Sequence, residues 1–148
     1  MASATEPLRH EVRIDAPPDV VFPYFTDPGR IVSWMGVGAL LDPRPGGVVR
    51  IDVNGRDVVL GEYLEVDPPR RVVFTWGFDG ATPLVPAGAS RVEVTLEPDG
   101  GGTLLTLRHH GLPEPSRDMH VAGWTHYLAR LGRAAAGDPP GRDPWIAD

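Results

Sequence analysis

The stretch SRDMHVAGWTHYLARLGRAAA, residues 116–136, constrains what this chain can fold into more than any other. Val121, Trp124, Leu128, Leu131 and Ala135 recur at spacings of three and four, which puts them on one face of a helix of roughly five to six turns. An apolar face of that length must be buried, and the only partner large enough is the set of strands before it. Ser116 is the expected N-cap. Gly123 sits mid-helix beside Trp124, where it costs about 1 kcal/mol relative to alanine. A helix keeps such a glycine where a backbone or a ligand comes close. The pattern predicts a helix in the palm of a curved sheet, with a cavity between them.

The preceding chain supplies that sheet. Arg9–Asp15 alternates, with Val12 and Ile14 on one face, as a half-buried strand does. Ala16-Pro17-Pro18-Asp19 stops it and starts a short helix carrying Val21 and Phe25 inward. Pro23 within that helix predicts a kink or a distorted turn. Asp27 caps a second short helix running to Trp34. Six strands are expected next, over Val37–Asp42, Val48–Val53, Arg56–Val66, Arg71–Phe78, Arg91–Glu97 and Thr103–His109. Asn54-Gly55 reads as a two-residue hairpin. Residues 79–90 are too long for a tight turn and form either a lid or an exposed connection. Strands joined by hairpin signals, closed by one amphipathic helix, make an antiparallel α+β domain over residues 9–136. Residues 1–8 and 137–148 are terminal extensions; the first seven are expected to be disordered, and Trp145 either docks on the body or belongs to a disordered tail.

Composition removes several classes of function. The formal charge is −6, and all 14 basic residues are arginine, which suggests a GC-rich bacterial genome. An acidic balance argues against nucleic acid or an anionic membrane as partner. No cysteine means no disulfide, thiolate metal site or cysteine nucleophile. No apolar run approaches a bilayer span and the N-terminal residues lack a signal-peptide core, so a cytoplasmic location is expected. The clusters Gly46-Gly47 and Gly100-Gly101-Gly102 lead into strands without a P-loop lysine and read as hairpin turns.

Four segments in order, APPDVVFPYFTDPGRIVSWM, GEYLEVDPPRRVVFTW, GGTLLTLRHHGLP and HVAGWTHYLARL, resemble the START-like (SRPBCC) superfamily. Within it they are most similar to the branch named after the C-terminal domain of the activator of the heat-shock-protein-90 ATPase. The resemblance covers residues 9–136 and implies a helix-grip fold, a strongly curved antiparallel sheet around a C-terminal helix with a hydrophobic cavity. The superfamily includes lipid and hormone binders, polyketide cyclases and co-chaperones, so the fold does not choose the function. Pro23 departs from the family's first helix, which continues without proline.

Trp34, Trp76, Phe78, Trp124 and Tyr127 are the aromatic residues expected at the cavity, as plain core or as its lining. His109 points inward by parity beside Leu105 and Leu107. It is either a satisfied core histidine or a group that orients a ligand or moves a proton. His120, Gly123 and Tyr127 share one helical stripe. Glu62 falls in register with Leu60, Leu64 and Val66 and is expected inward, unless a bulge at Gly61 turns it out. His109 and His110 face opposite sides of a strand, and His120 and His126 lie about 120° apart around the helix, so no metal pair forms. The expected function is binding of a small apolar or aromatic molecule, without cofactor or metal. The alternatives are a polyketide cyclase or aromatase, and a co-chaperone-type interaction module with an apolar outer patch, where Arg91, Glu93, Thr95 and Glu97 instead read polar. The sequence does not determine whether the chain is a monomer or a homodimer.

Overall fold

The computed structural model describes residues 6–146. The expectation of disorder over the first residues therefore falls largely outside the described chain. β1 (Leu8–Ile14) leads into α1 (Pro18–Val21), a 3-10 turn over Phe22–Phe25, and α2 (Pro28–Ile31). Then come β2 (Gly38–Leu41), β3 (Val48–Asp52), β4 (Val58–Asp67), β5 (Arg71–Trp76), β6 (Ser90–Asp99), β7 (Gly102–His110) and α3 (Glu114–Ala135). The strands form one curved, antiparallel seven-stranded sheet in the order β1-β7-β6-β5-β4-β3-β2, with α3 packed on its inner face. This is the expected α+β helix-grip architecture.

Pro23 has the predicted effect: the first helix gives way after one turn to the 3-10 turn, which still buries Phe22 and Phe25. Asp27 caps α2 through a 2.9 Å bond from Gly29 N–H. The inner face of the sheet carries Val72, Phe74, Trp76, Val92, Val94, Leu96, Leu105 and Leu107, as alternation required. Opposite them, Trp124, Leu128, Leu131 and Ala135 of α3 are buried.

Three local expectations are corrected. Val121 is 47% exposed, because the buried stripe of α3 runs through Ser116, His120, Trp124 and Tyr127 and leaves Val121 on the flank. Ser116 is not the N-cap: Pro113 holds that position, and Ser116 lies inside the first turn with its hydroxyl donating to the Pro113 carbonyl at 2.8 Å. Asn54-Gly55 is not a two-residue hairpin. A type I′ loop needs positive φ at both central residues, and here only Gly55 has it. Asn54 Oδ1 instead accepts from the N–H groups of Arg56 and Asp57 at 2.9 and 2.8 Å, and Val53 N–H closes a longer tip on the Asp57 carbonyl at 2.9 Å.

The end of α3 is tightly specified. Gly137, with φ +86°, follows the last turn; its N–H bonds the Ala134 carbonyl and that of Asp138 bonds Arg133. This is a Schellman motif, which reverses the chain. Residues 138–146 then return along α3. Arg130 donates to the Gly141 carbonyl at 2.8 Å, Asp143 is buried, and its carboxylate accepts from His126 Nε2 at 2.8 Å and from Trp145 N–H at 2.9 Å. Trp145 stacks on His126 with ring centres 3.7 Å apart. Of the two readings of the tail, docking is the one observed.

Candidate functional site

Strand parity aims Trp76 inward at the end of β5, and Phe78 follows just beyond it. The i, i+4, i+7 spacing of His120, Trp124 and Tyr127 brings one stripe of α3 against them. The β3–β4 tip, with Val53, Asn54 and Asp57, closes one side, and Trp145 of the returning tail closes another. These elements border a half-open pocket of about 190 Å³, also lined by Met119 and Gly123. A neighbouring pocket of about 210 Å³ shares Asp57, Phe78 and Met119 with it and adds Pro83, Leu84 and Val85 of the 79–89 loop. That loop is pinned at its middle, where Val85 is fully buried and its carbonyl accepts from Phe78 N–H at 2.8 Å.

Behind the aromatic wall, two tryptophan–histidine pairs satisfy one another. The Trp76 indole N–H donates to His120 Nε2 at 3.2 Å, and the other ring nitrogen of His120, Nδ1, lies 2.8 Å from the Ser116 carbonyl. The Trp124 indole N–H donates to His109 Nδ1 at 3.0 Å, and His109 Nε2 lies 2.8 Å from Ser90 Oγ. Because an indole nitrogen only donates and a carbonyl only accepts, both tautomers follow: His120 carries its proton on Nδ1 and His109 on Nε2. Ser90 passes the chain on, donating to the Trp76 carbonyl at 2.7 Å. The rings also meet edge to face, His109 on His120 at 5.1 Å, while Trp76 and Trp124 tilt against each other at 5.1 Å.

Burial, helped by the neighbouring His120, His110 and Arg117, pushes the His109 pKa down to about 2. Burial also lowers that of His120, against the opposing pull of the Ser116 carbonyl. Both rings are neutral near pH 7, and every ring nitrogen is engaged. Tyr127 is different. Its hydroxyl has no hydrogen-bond partner among the described residues, and its pKa is pushed up to about 12 by burial first and then by Asp143 and Asp57, with Arg130 opposing. It remains a protonated donor at the pocket wall.

Six of the nine expected site residues line the pocket: Trp76, Phe78, His120, Gly123, Trp124 and Tyr127. His109 is not on the lining; it stands behind the wall as a satisfied core histidine, with its ring nitrogens engaged by Trp124 and Ser90. Trp34 belongs to the core under the short helices, its ring edge on Phe25 at 5.3 Å and its N–H on the Tyr24 carbonyl at 3.0 Å. Glu62 points outward and is exposed. The inward set of β4 is Val59, Gly61 and Tyr63, with the Tyr63 hydroxyl bonded to the Phe25 carbonyl at 2.8 Å. The bulge lies between Tyr63 and Glu65, not at Gly61, and it turns Val66 back toward the core. Grouping Val66 with Glu62 therefore assigned the wrong face. A side chain at Gly61 would meet the Thr75 carbonyl oxygen at 2.0 Å, which is why the position is glycine. Gly123 meets no such backbone: a Cβ there has nothing within 4 Å, and it borders the pocket instead. Sequence reasoning missed Asn54, Asp57 and Ser90. The hairpin signal located the tip but not its place on the pocket lining.

Comparison with known proteins places this geometry in a family context. The model of the "Activator of Hsp90 ATPase homolog 1-like protein" family matches residues 15–136. An AHSA1-like protein of Rhizobium etli is 43% identical in sequence and has a TM-score of 0.73, over 96% of this chain and 89% of that one. CalU16 of Micromonospora echinospora is 32% identical with a TM-score of 0.71, over 88% of this chain and 76% of its own. DynU16, a protein of the dynemicin biosynthetic locus, is 30% identical with a TM-score of 0.80 over 95% of this chain. This chain spans only 51% of DynU16, and 29% of an uncharacterized Schizosaccharomyces pombe protein that is 28% identical over 104 residues.

Proposed function

Because the chain belongs to the activator of Hsp90 ATPase homolog 1-like family, we propose that it binds a small, apolar or aromatic molecule in the pocket between α3 and the end of β5. The observation that carries this reading is the internal satisfaction of the Trp76, Trp124, His109 and His120 network. It leaves the faces of Trp76, Trp124 and His120 on the wall with their ring nitrogens already paired, which suits an apolar ligand and costs little on desolvation. A cavity of about 150 Å³ lined by apolar groups takes benzene; at about 190 Å³, with its neighbour beside it, this one suits a ring or two. The engaged histidines also weigh against acid–base chemistry, so binding is preferred to turnover.

DynU16's locus favours a second reading, a role in the handling of a biosynthetic intermediate. In a cyclase-like reaction Tyr127 is the group with a proton to offer. The interaction-module reading is the weakest, since the outer face of β5–β7 is covered by charged pairs of Arg71 with Glu65 and Glu93, and of Arg91 with Glu93.

The test is a thermal-shift screen of apolar aromatic compounds, followed by NMR of the Trp76 and Trp124 indole N–H resonances. Compounds held at a hundred times their Kd should stabilise the fold by about 2.7 kcal/mol. Gly123→Leu fills the space beside the helix and should abolish the shift while leaving the protein folded, because no atom stands where its Cβ would go. Stabilisation that survives Gly123→Leu, or no stabilising compound at all, rejects the pocket.

A further inference from the structure

The pocket has a charge signature as well as an apolar one. Among the described residues, Asp57 is the one side chain of fixed charge on the lining of either pocket, and it lines both. One of its carboxylate oxygens accepts from Asn54 Nδ2 at 2.9 Å; the carboxylate makes no ion pair among the described residues. No arginine lines either pocket. The arginine that acts on Tyr127 is Arg130, and its guanidinium is committed to the Trp34 and Gly141 carbonyls and to Asp143. Asp57 shares the lining of the first pocket with the rings of Phe78, Tyr127, Trp145, Trp76 and Trp124, the last two of them buried.

We propose that the ligand carries a protonated amine on an apolar or aromatic body. The ammonium group meets Asp57 where the two pockets join, and the body lies against Trp76 and Trp124. This rests on the pocket-binding reading above and adds the sign of the ligand's charge. The physical reasons are two. Aromatic faces attract a cation through the ring quadrupole, and an unpaired carboxylate at the rim adds a direct ion pair. A carboxylate ligand would meet the same Asp57 as a like charge, with no cation on the lining to offset it. The Tyr127 hydroxyl, unpartnered and protonated, offers a donor to an ether or carbonyl oxygen on the body.

Three probes with one ring and different charge separate the possibilities: 2-phenylethylamine, 2-phenylethanol and phenylacetate, titrated at pH 7 while the Trp76 and Trp124 indole resonances are followed. The amine should bind about threefold to tenfold more tightly than the alcohol, and phenylacetate most weakly. Asp57→Asn keeps an acceptor for Asn54 Nδ2, preserves the tip, and should bring amine and alcohol to equal affinity. Phe78→Leu, which leaves Asp57 in place, should reduce the amine's advantage in part. Raising salt from low to high should weaken the amine more than the alcohol. Equal binding of all three probes, or an amine preference unchanged in Asp57→Asn, overturns the charge inference and leaves the apolar pocket standing. If none of the three moves the indole resonances, both readings fall.

Discussion

His109 and His120 set how this protein responds to acid. Their folded pKa values lie below the ordinary 6.5, that of His109 at about 2. Between about 2 and 6.5 the unfolded chain therefore binds a proton at position 109 that the folded chain refuses. Stability is fully present above pH 6.5 and falls as pH drops through that window, by about 1.4 kcal/mol per pH unit for each histidine involved. Urea titrations at pH 7, 6 and 5 should show this loss. His109→Gln keeps a donor for Ser90 but removes the acceptor for Trp124. It should cost about 1–3 kcal/mol at pH 7 and flatten the pH dependence by about one proton. An unchanged slope in that variant would remove His109 from the account. The inward direction of His109 was legible from the alternation with Leu105 and Leu107. Its engagement was not, because Ser90 and Trp124 meet it only through the β6–β7 register and the docking of α3.

At the scale of elements, α3 shows what periodicity can and cannot say. Spacings of three and four located the helix and most of its buried face. They could not decide between Val121 and His120 for the inner stripe, since both neighbour Trp124. The decision came from the cavity wall, where the imidazole gains two hydrogen bonds and valine would leave the Trp76 N–H unpaired. Gly123 follows the same logic. With open space at its Cβ position, Gly123→Ala should stabilise the protein by about 1 kcal/mol by helix propensity alone. A rise in the urea midpoint at constant slope checks it, and a fall would mean the space is not open. β4 teaches the reverse lesson. Its apolar residues fall on both parities, with Val59 and Tyr63 inward and Glu62 therefore outward, and the bulge between Tyr63 and Glu65 brings Val66 back to the core side, so grouping Glu62 with Val66 misread the face.

The whole molecule adds the returning tail. Asp143, 2% exposed, ties the chain beyond Gly137 to His126 and lies beside Arg130, and Trp145 forms part of the pocket rim. Asp143→Ala leaves buried partners unsatisfied and should lower stability by about 1–3 kcal/mol. Trp145→Ala removes a ring stack worth about 0.5–1.5 kcal/mol. Both should weaken ligand binding, Trp145→Ala with the smaller thermal loss. A Trp145→Ala variant with full affinity, measured by calorimetry, would show that the tail braces the helix without bounding the site.

Local rules sufficed for much of this protein: the element order, the antiparallel sheet, the distortion at Pro23, the cap at Asp27 and the closing helix. Each depends on residues within a turn or a strand of one another, where side-chain period and backbone preference act directly. The site depends on separations of many tens of residues. Asp57 reaches the rim from a hairpin tip, Trp145 from a tail reversed by Gly137, and each of the two histidines accepts from a tryptophan on another element. Burial and hydrogen-bond partnership are properties of the packed chain, so which polar groups border the pocket, Tyr127 and Asp57 rather than His109 and Glu62, was decided only when the helix closed on the sheet.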